Sequence, residues 1–181
     1  MFSNKHKVLS VFFDNLYPEG GLGLREISNK INLAPTSVKN YLEELIKENL
    51  VVQKKHRYLN QPKYYPSLSD EFKFLKTQHI LSLIKKTKLD KYIYESCFPN
   101  CIILFGSASI GEDSVGSDVD LFVQSPRKKL ELKKFEKVLN RKINVFFQES
   151  FENLSEELKN NLVNGIMIKG YLNAFTKKNN P

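Results

Sequence analysis

Cysteine, histidine and long apolar runs are scarce in this chain, and each shortage removes a class of protein. The two cysteines, Cys97 and Cys101, sit in "CFPNC". With no further Cys and no His beside them they cannot complete a tetrahedral zinc site. Small, partly buried thiols in a reducing compartment are the expected outcome. The three histidines, at positions 6, 56 and 79, have no partners at catalytic or metal-binding spacing. No apolar stretch approaches the roughly 18 residues of a membrane span. The short run at 8–13 is interrupted by Ser10 and ended by Asp14, and no small-residue cleavage site follows it. These shortages predict a cytoplasmic protein with no membrane partner. Internal repeats are also lacking.

What is present is a globular composition, 41% hydrophobic and 27% charged over 181 residues, enough for two small domains. Lys and Arg number 28 against 20 Asp and Glu, a formal charge of +8. That excess points to a polyanionic partner, or to a solvated basic surface.

The first third reads as helices followed by a hairpin. Val8, Val11, Phe12 and Leu16 recur at helical spacing over 5–17. After the breaker "PEGG", the stretch "LREISNKINLAPTSVKNYLEELIKENLVV" carries two helical patterns joined by a tight turn. Ile27 and Ile31 share a face in the first; Val38, Leu42 and Leu45, flanked by Tyr41 and Ile46, share one in the second. Pro35 suits the first helical position. Ala34 is a poor cap, so Thr36 or Ser37 is the alternative start. "LVVQKKHRYLNQPKYYPS" has apolar or aromatic ends around a basic middle, the pattern of a β-hairpin with a long tip.

Residues 5–66 thereby resemble the winged helix-turn-helix domain of transcriptional regulators. The resemblance implies DNA as a partner, with the helix from about 36 to 48 in the major groove and the hairpin on the backbone. Ser37, Lys39, Asn40 and Glu43 lie off that helix's apolar face, free to meet base edges or phosphates. Lys54, Lys55, His56, Arg57 and Lys63 would be the phosphate contacts of the wing. Residues 1–66 hold 10 Lys and Arg against 6 Asp and Glu, a mild excess of +4. Such domains also serve as dimerisation or docking modules, so a homodimer is a second expectation. Residues 67–98 read as a helical linker, with apolar spacing at Phe72, Leu75, Leu83 and Ile84 and then at Leu89, Tyr92 and Ile93. Its stripe must bury against the flanking domains or a second copy.

The chemistry lies in "LFGSASIGEDSVGSDVDLFV", residues 104–123. "CIILF" is a buried strand ending at Gly106, and "DLFVQ" extends a second strand from Val119. A short helix over 107–110, stopped by Gly111, is expected between them. Alternation along a strand puts Asp118 and Asp120 on one face, with Val119 and Leu121 towards the core. Two carboxylates a few ångströms apart repel by roughly 1 to 4 kcal/mol. A divalent ion offsets that cost, and Mg2+ suits paired carboxylates that share it with substrate phosphates. Gly106 and Ser107 then suit a phosphate, since glycine allows close backbone approach and the following amides and hydroxyl are donors. A surface turn with acidic ends is the plainer alternative.

The same stretch resembles the core motif of the nucleotidyltransferase superfamily related to DNA polymerase β, in its minimal prokaryotic form, over residues 98–150. Gly-Ser, about ten residues, then Ser-Asp-hydrophobic-Asp-Leu is the shared pattern. The resemblance implies that Gly106, Ser107 and Ser117 hold a nucleoside triphosphate such as ATP, and that Asp118 and Asp120 are catalytic and bind Mg2+. It implies transfer of a nucleoside monophosphate to a protein or small-molecule acceptor, with pyrophosphate leaving. Similar minimal enzymes often act as antitoxins beside a HEPN-type partner. Two positions depart from the family. "KINVFFQ", 142–148, carries Asn144 where a third carboxylate is usual; an amide oxygen can ligate a hard cation but cannot act as a base. Ile110 stands where a basic residue often precedes the glycine.

Downstream, 127–142 reads as an amphipathic helix with Leu130, Leu132, Phe135, Val138 and Leu139 inward and lysines outward. Residues 155–172 open on a cap at Ser155, with Gly165 and Gly170 as breaks. The fold expected is α/β (α+β): an N-terminal winged helix over 1–66, the linker over 67–98, and a minimal nucleotidyltransferase domain on a small mixed sheet over 99–181. Two functions fit: a Mg2+-dependent nucleotidyltransferase, or a DNA-binding regulator whose nucleotidyltransferase fold senses a nucleotide or mediates an interaction.

Overall fold

The computed structural model describes residues 2–55, 61–114 and 116–175. The chain divides into two compact units, Met1–Lys76 and Thr77–Pro181, with the fold class α+β. Among the described residues no helix is long and apolar enough to cross a membrane.

The first unit opens with helix α1, Asn4–Phe13, where Ser3 Oγ accepts the His6 amide. Helix α2, Leu24–Ile31, begins at Gly23, whose amide donates to Glu26. It ends at Asn32 in the left-handed region. Helix α3, Pro35–Lys47, starts with Ala34 as its cap and Pro35 in the first turn. Thr36 and Ser37 are therefore inside the helix rather than capping it; proline's preset φ initiates the turn without a side-chain acceptor. Strands β1, Val51–Lys55, and β2, Pro62–Pro66, pair antiparallel, Val51 opposite Pro66 and Lys55 opposite Pro62. Leu22 bridges to Tyr64 on the sheet's other side. Val8, Phe12, Ile27, Val38, Leu42 and Leu45 are wholly buried together, as their three- and four-residue spacing requires.

The expected linker is two helices, α4, Asp70–Thr87, and α5, Leu89–Cys97. The division between units falls inside α4: Phe72 and Leu75 belong to the first core, Ile80 and Ile84 to the second.

The second unit is built on a four-stranded mixed sheet. Its strands are β3, Cys101–Phe105; β4, Val119–Val123; β5, Ile143–Phe147; and β6, Ile166–Gly170. They lie in the order β5-β4-β3-β6. β3 runs antiparallel to β4 and β6, while β4 and β5 are parallel. Parallel neighbours need a crossover, and residues between β4 and β5 supply one through helix α6, Lys133–Leu139. The amphipathic helix expected over 127–142 is thus only its second half. Residues 127–132 are strapped to α5 instead, by Lys128 Nζ on the Ser96 carbonyl (2.8 Å) and the Glu131 amide on the Tyr92 hydroxyl (2.9 Å). With the helix starting late, Phe135 and Leu139 face the core and Val138 turns outward, 53% exposed.

The segment 155–172 is a helix followed by a strand. α7, Glu156–Val163, is capped by Ser155 Oγ on the Leu158 amide, and β6 follows. Gly165 turns the chain where a side chain would collide with Ile103 and the Leu104 carbonyl. Both cysteines are free and buried. Burial pushes the Cys101 thiol up to about 11.

His6 lies between two rings, stacked on Phe2 at 4.3 Å and edge-on to Phe13 at 6.0 Å. Burial holds its pKa below the ordinary 6.5. Above 6.5 both folded and unfolded chains carry it neutral, so its full contribution is present. As pH falls the unfolded form takes the proton first, and stability drops. Thermal unfolding between about pH 7 and pH 5 is expected to show a steeper loss for the native chain than for His6→Gln. Equal slopes would contradict the burial of this ring.

Candidate functional site

The site grows from the way β4 is seated between its neighbours. Val119 and Leu121 are almost fully buried and fix the strand's face. Asp120, between them, is half-buried on the opposite side, as alternation dictates. Its register partners are Phe105 on β3 and Asn144 on β5. Asn144 Nδ2 donates to Asp120 Oδ1 at 3.1 Å.

Gly106 follows Phe105 directly, at φ 70° and ψ −160°, a conformation open to glycine and strained for other residues. A Cβ there would lie 2.7 Å from Asp120 Oδ2. The carboxylate is therefore flanked by an amide on one oxygen and bare backbone on the other. The turn expected as a short helix over 107–110 is a single 3-10 turn, Ser107–Ser109. The Gly106 carbonyl accepts from both the amide and the hydroxyl of Ser109 (3.1 and 2.7 Å), and the Ser107 carbonyl from the amides of Ile110 and Glu112. These bonds close the turn one residue early.

Asp118 precedes β4 and is exposed. With Ser117, Glu136, Asn140 and Lys142 it lines a cavity of about 460 Å³. Ser117 pairs reciprocally with Ser114, Oγ accepting the Ser114 amide and its own amide reaching the Ser114 carbonyl, both at 3.0 Å. In this structure Ser117 therefore shapes the loop. Glu136 Oε1 accepts the Ile143 amide at 3.0 Å, which fixes the start of β5.

A buried ion pair in this region escaped the sequence reading. Arg141 and Asp113 meet at 3.4 Å with side chains 3% and 1% exposed. It ties the loop before Asp118 to the start of β5. Separated by 28 residues and outside any motif, the two carry no local signal.

The structure thus gathers Gly106, Ser107, Asp120 and Asn144 at one edge of β3–β4–β5, with Asp118 and Ser117 on the adjoining loop. Two carboxylates and an amide oxygen are hard donors suited to a divalent cation such as Mg2+. Among the described residues no group of three or more His, Cys, Asp or Glu is placed to hold a metal. A cation here would complete its shell with oxygens of water or substrate. Ile110 is exposed and offers an anion no charge.

In the first unit, Lys39, Asn40, Glu43, Lys54 and Lys55 are exposed, and Ser37 and Lys63 are half-buried. Lys39 and Glu43 approach to 3.9 Å along α3. Lys54 lies 5.2 Å over the Tyr65 ring, and Lys63 Nζ reaches the Gly21 carbonyl at 3.5 Å. His56 and Arg57 lie outside the described residues.

Residues 99–168 match the family described as Nucleotidyltransferase domain. The matched segment holds β3, the Gly-Ser turn, β4, α6, β5, α7 and the start of β6, and it supports nucleotidyl transfer as the general activity. No curated protein matches the chain.

Gly106→Ala tests whether this cradle is used. A methyl group against Asp120 Oδ2, at a φ of +70°, is expected to cost about 1–3 kcal/mol in stability. It is also expected to lower calorimetric Mg2+-ATP affinity at least about tenfold. Unchanged nucleotide affinity in the folded variant would remove Gly106 from the site.

Proposed function

We propose that this protein is a Mg2+-dependent nucleotidyltransferase that moves a nucleoside monophosphate from ATP or a similar donor to a protein or small-molecule acceptor. The observation that carries the reading is the setting of Asp120, held between bare Gly106 backbone and the Asn144 amide on adjacent strands. Gly106 and Ser107 would receive the triphosphate, which the backbone can approach closely because no side chain intervenes. Asp118 and Asp120 would hold the metal. A bound dication would screen phosphate charge and favour departure of pyrophosphate. In the net reaction an acceptor hydroxyl oxygen bonds to the α-phosphorus, the bond from that phosphorus to the bridging oxygen breaks, and the hydroxyl proton leaves to solvent.

Asn144 favours a second reading. It occupies the strand position of the third carboxylate, and its Nδ2 already donates to Asp120; an amide cannot take the acceptor's proton. On this reading the domain binds nucleotide and reports it, and a HEPN-type protein or a second copy of the chain is the listener.

Incubation with α-phosphate-labelled ATP, Mg2+ and cell extract separates the two. Label is expected to pass to an acceptor with the native chain and to vanish with Asp118→Ala/Asp120→Ala. Asn144→Asp, which adds the missing charge, is expected to raise transfer at least about tenfold. Retained ATP binding with no transfer by either the native chain or Asn144→Asp would establish the sensor instead.

We further propose that the first unit binds duplex DNA as a winged helix. Three helices followed by an antiparallel pair, with the Leu22–Tyr64 bridge beside it, support this reading. The exposed Lys39, Asn40 and Glu43 would enter the major groove, with Ser37 beside the backbone and the basic hairpin on phosphates. The triple variant Lys54→Gln/Lys55→Gln/Arg57→Gln is expected to lower affinity for duplex DNA and to flatten its log–log salt slope by about 2–3. A mobility shift with an unaltered slope would place the contacts elsewhere.

A further inference from the structure

Most of the chain's excess positive charge lies in one segment, and of its cations only those at its end, Arg141 and Lys142, border the Asp118 cavity. Residues 127–142 hold eight Lys and Arg against two acids, +6 of the chain's +8. Only Arg141 of the eight is buried in an ion pair. Lys88, Arg127, Lys133 and Lys137 form no ion pair among the described residues. A cluster of unpaired exposed cations repels itself and destabilises the free surface, and a polyanion relieves that repulsion on binding.

The cluster is shaped as well as charged. The strap 127–132 is held to α5 by the Lys128 and Glu131 bonds, and two grooves are lined by these elements. One, of about 460 Å³ between α5 and α6, is lined by Lys88, Lys91, Lys134, Tyr92 and Phe135, among others. The second, about 340 Å³, is lined by Arg127, Lys128 and Lys129 together with Leu130, Leu132, Val145 and Phe147. Each is of a size to admit a nucleotide unit. At the strap, Phe98 is 75% exposed, and the Lys128 ammonium sits 5.8 Å from its ring centre. An exposed aromatic face beside a lysine offers an unstacked base a stacking surface and its phosphate a cation.

We propose that the α5–strap–α6 surface binds a single-stranded nucleic acid, its lysines along the phosphates and Phe98 stacked on a base. Charge alone would accept any polyanion. The aromatic platform selects strands with free bases, because a duplex keeps its bases stacked and presents only phosphate to such a surface. The surface uses neither Asp118 nor Asp120, so it stands or falls apart from nucleotidyl transfer.

Fluorescence anisotropy of the full chain with a labelled mixed-sequence RNA of about 20 nucleotides tests this. Lys133→Gln/Lys134→Gln/Lys137→Gln is expected to weaken binding at least about tenfold and to reduce the salt slope by about 2, since each phosphate contact on a single strand contributes about 0.7. The Lys→Arg triple variant at the same positions is expected to bind as the native chain does, which separates lost charge from lost folding. Phe98→Ala is expected to weaken RNA binding about tenfold at an unchanged slope, and to leave heparin, which has charge and no bases, unaffected. RNA affinity that survives both Lys→Gln and Phe98→Ala overturns the assignment. So does affinity that falls with the hairpin variant Lys54→Gln/Lys55→Gln/Lys63→Gln instead.

Discussion

The carboxylate of Asp120 has its place because residue 106 lacks a side chain. β3 and β4 pair so that Phe105 faces Asp120, and the next residue along must turn away while the carboxylate crosses the space its Cβ would fill. Two requirements meet at one position: a positive φ and an empty volume. Glycine satisfies both. The rest of the site follows from register. β5 pairs in parallel with β4, bringing Asn144 opposite Asp120, and the burial of Val119 and Leu121 prevents a one-residue slip that would turn Asp120 inward.

The loop ahead of β4 needs a different anchor, since its residues have no sheet partners until Val119. Asp113 and Arg141 provide one. Removing either side chain alone would strand a charge in a nearly dry environment, a loss of about 3–5 kcal/mol, whereas replacing both with apolar groups can be neutral. The value of such a pair is therefore positional. It joins the loop bearing Ser117 and Asp118 to the residues that start β5, and the Val119 amide on the Lys142 carbonyl at 2.8 Å continues the same seam. The Ser114–Ser117 pairing then closes the turn beneath Asp118.

How much of this was legible depended on the range of the interaction. The Gly-Ser step and the Asp-x-Asp alternation are local, and period-two burial sets Asp120 opposite the core face of its strand. The helices of the first unit were legible because Ile27–Ile31 and Val38–Leu42–Leu45 repeat at helical spacing. β6 was not: four residues between two glycines after a helix carry too little period to announce a strand, and pairing with β3 makes it one. α6 is shorter than the pattern suggests because the spacing of Leu130 and Leu132 fits a helix, while two hydrogen bonds to α5, about thirty residues away or more, hold that part out of the helix. The Asp113–Arg141 pair is invisible for the same reason.

Asn144 shows how a single uncharged residue can change what such a site needs. A third carboxylate beside Asp120 would add repulsion of order 1 kcal/mol or more at these separations, relieved only when a cation binds. The amide instead donates to Asp120 Oδ1, so the cation-free arrangement is already satisfied at that oxygen. Binding a dication must then compete with this hydrogen bond and proceeds with one fewer negative charge. Under the proposed function, the free site would be quieter and its pull on a metal weaker, a trade that favours a settled strand pairing over the charge that speeds chemistry.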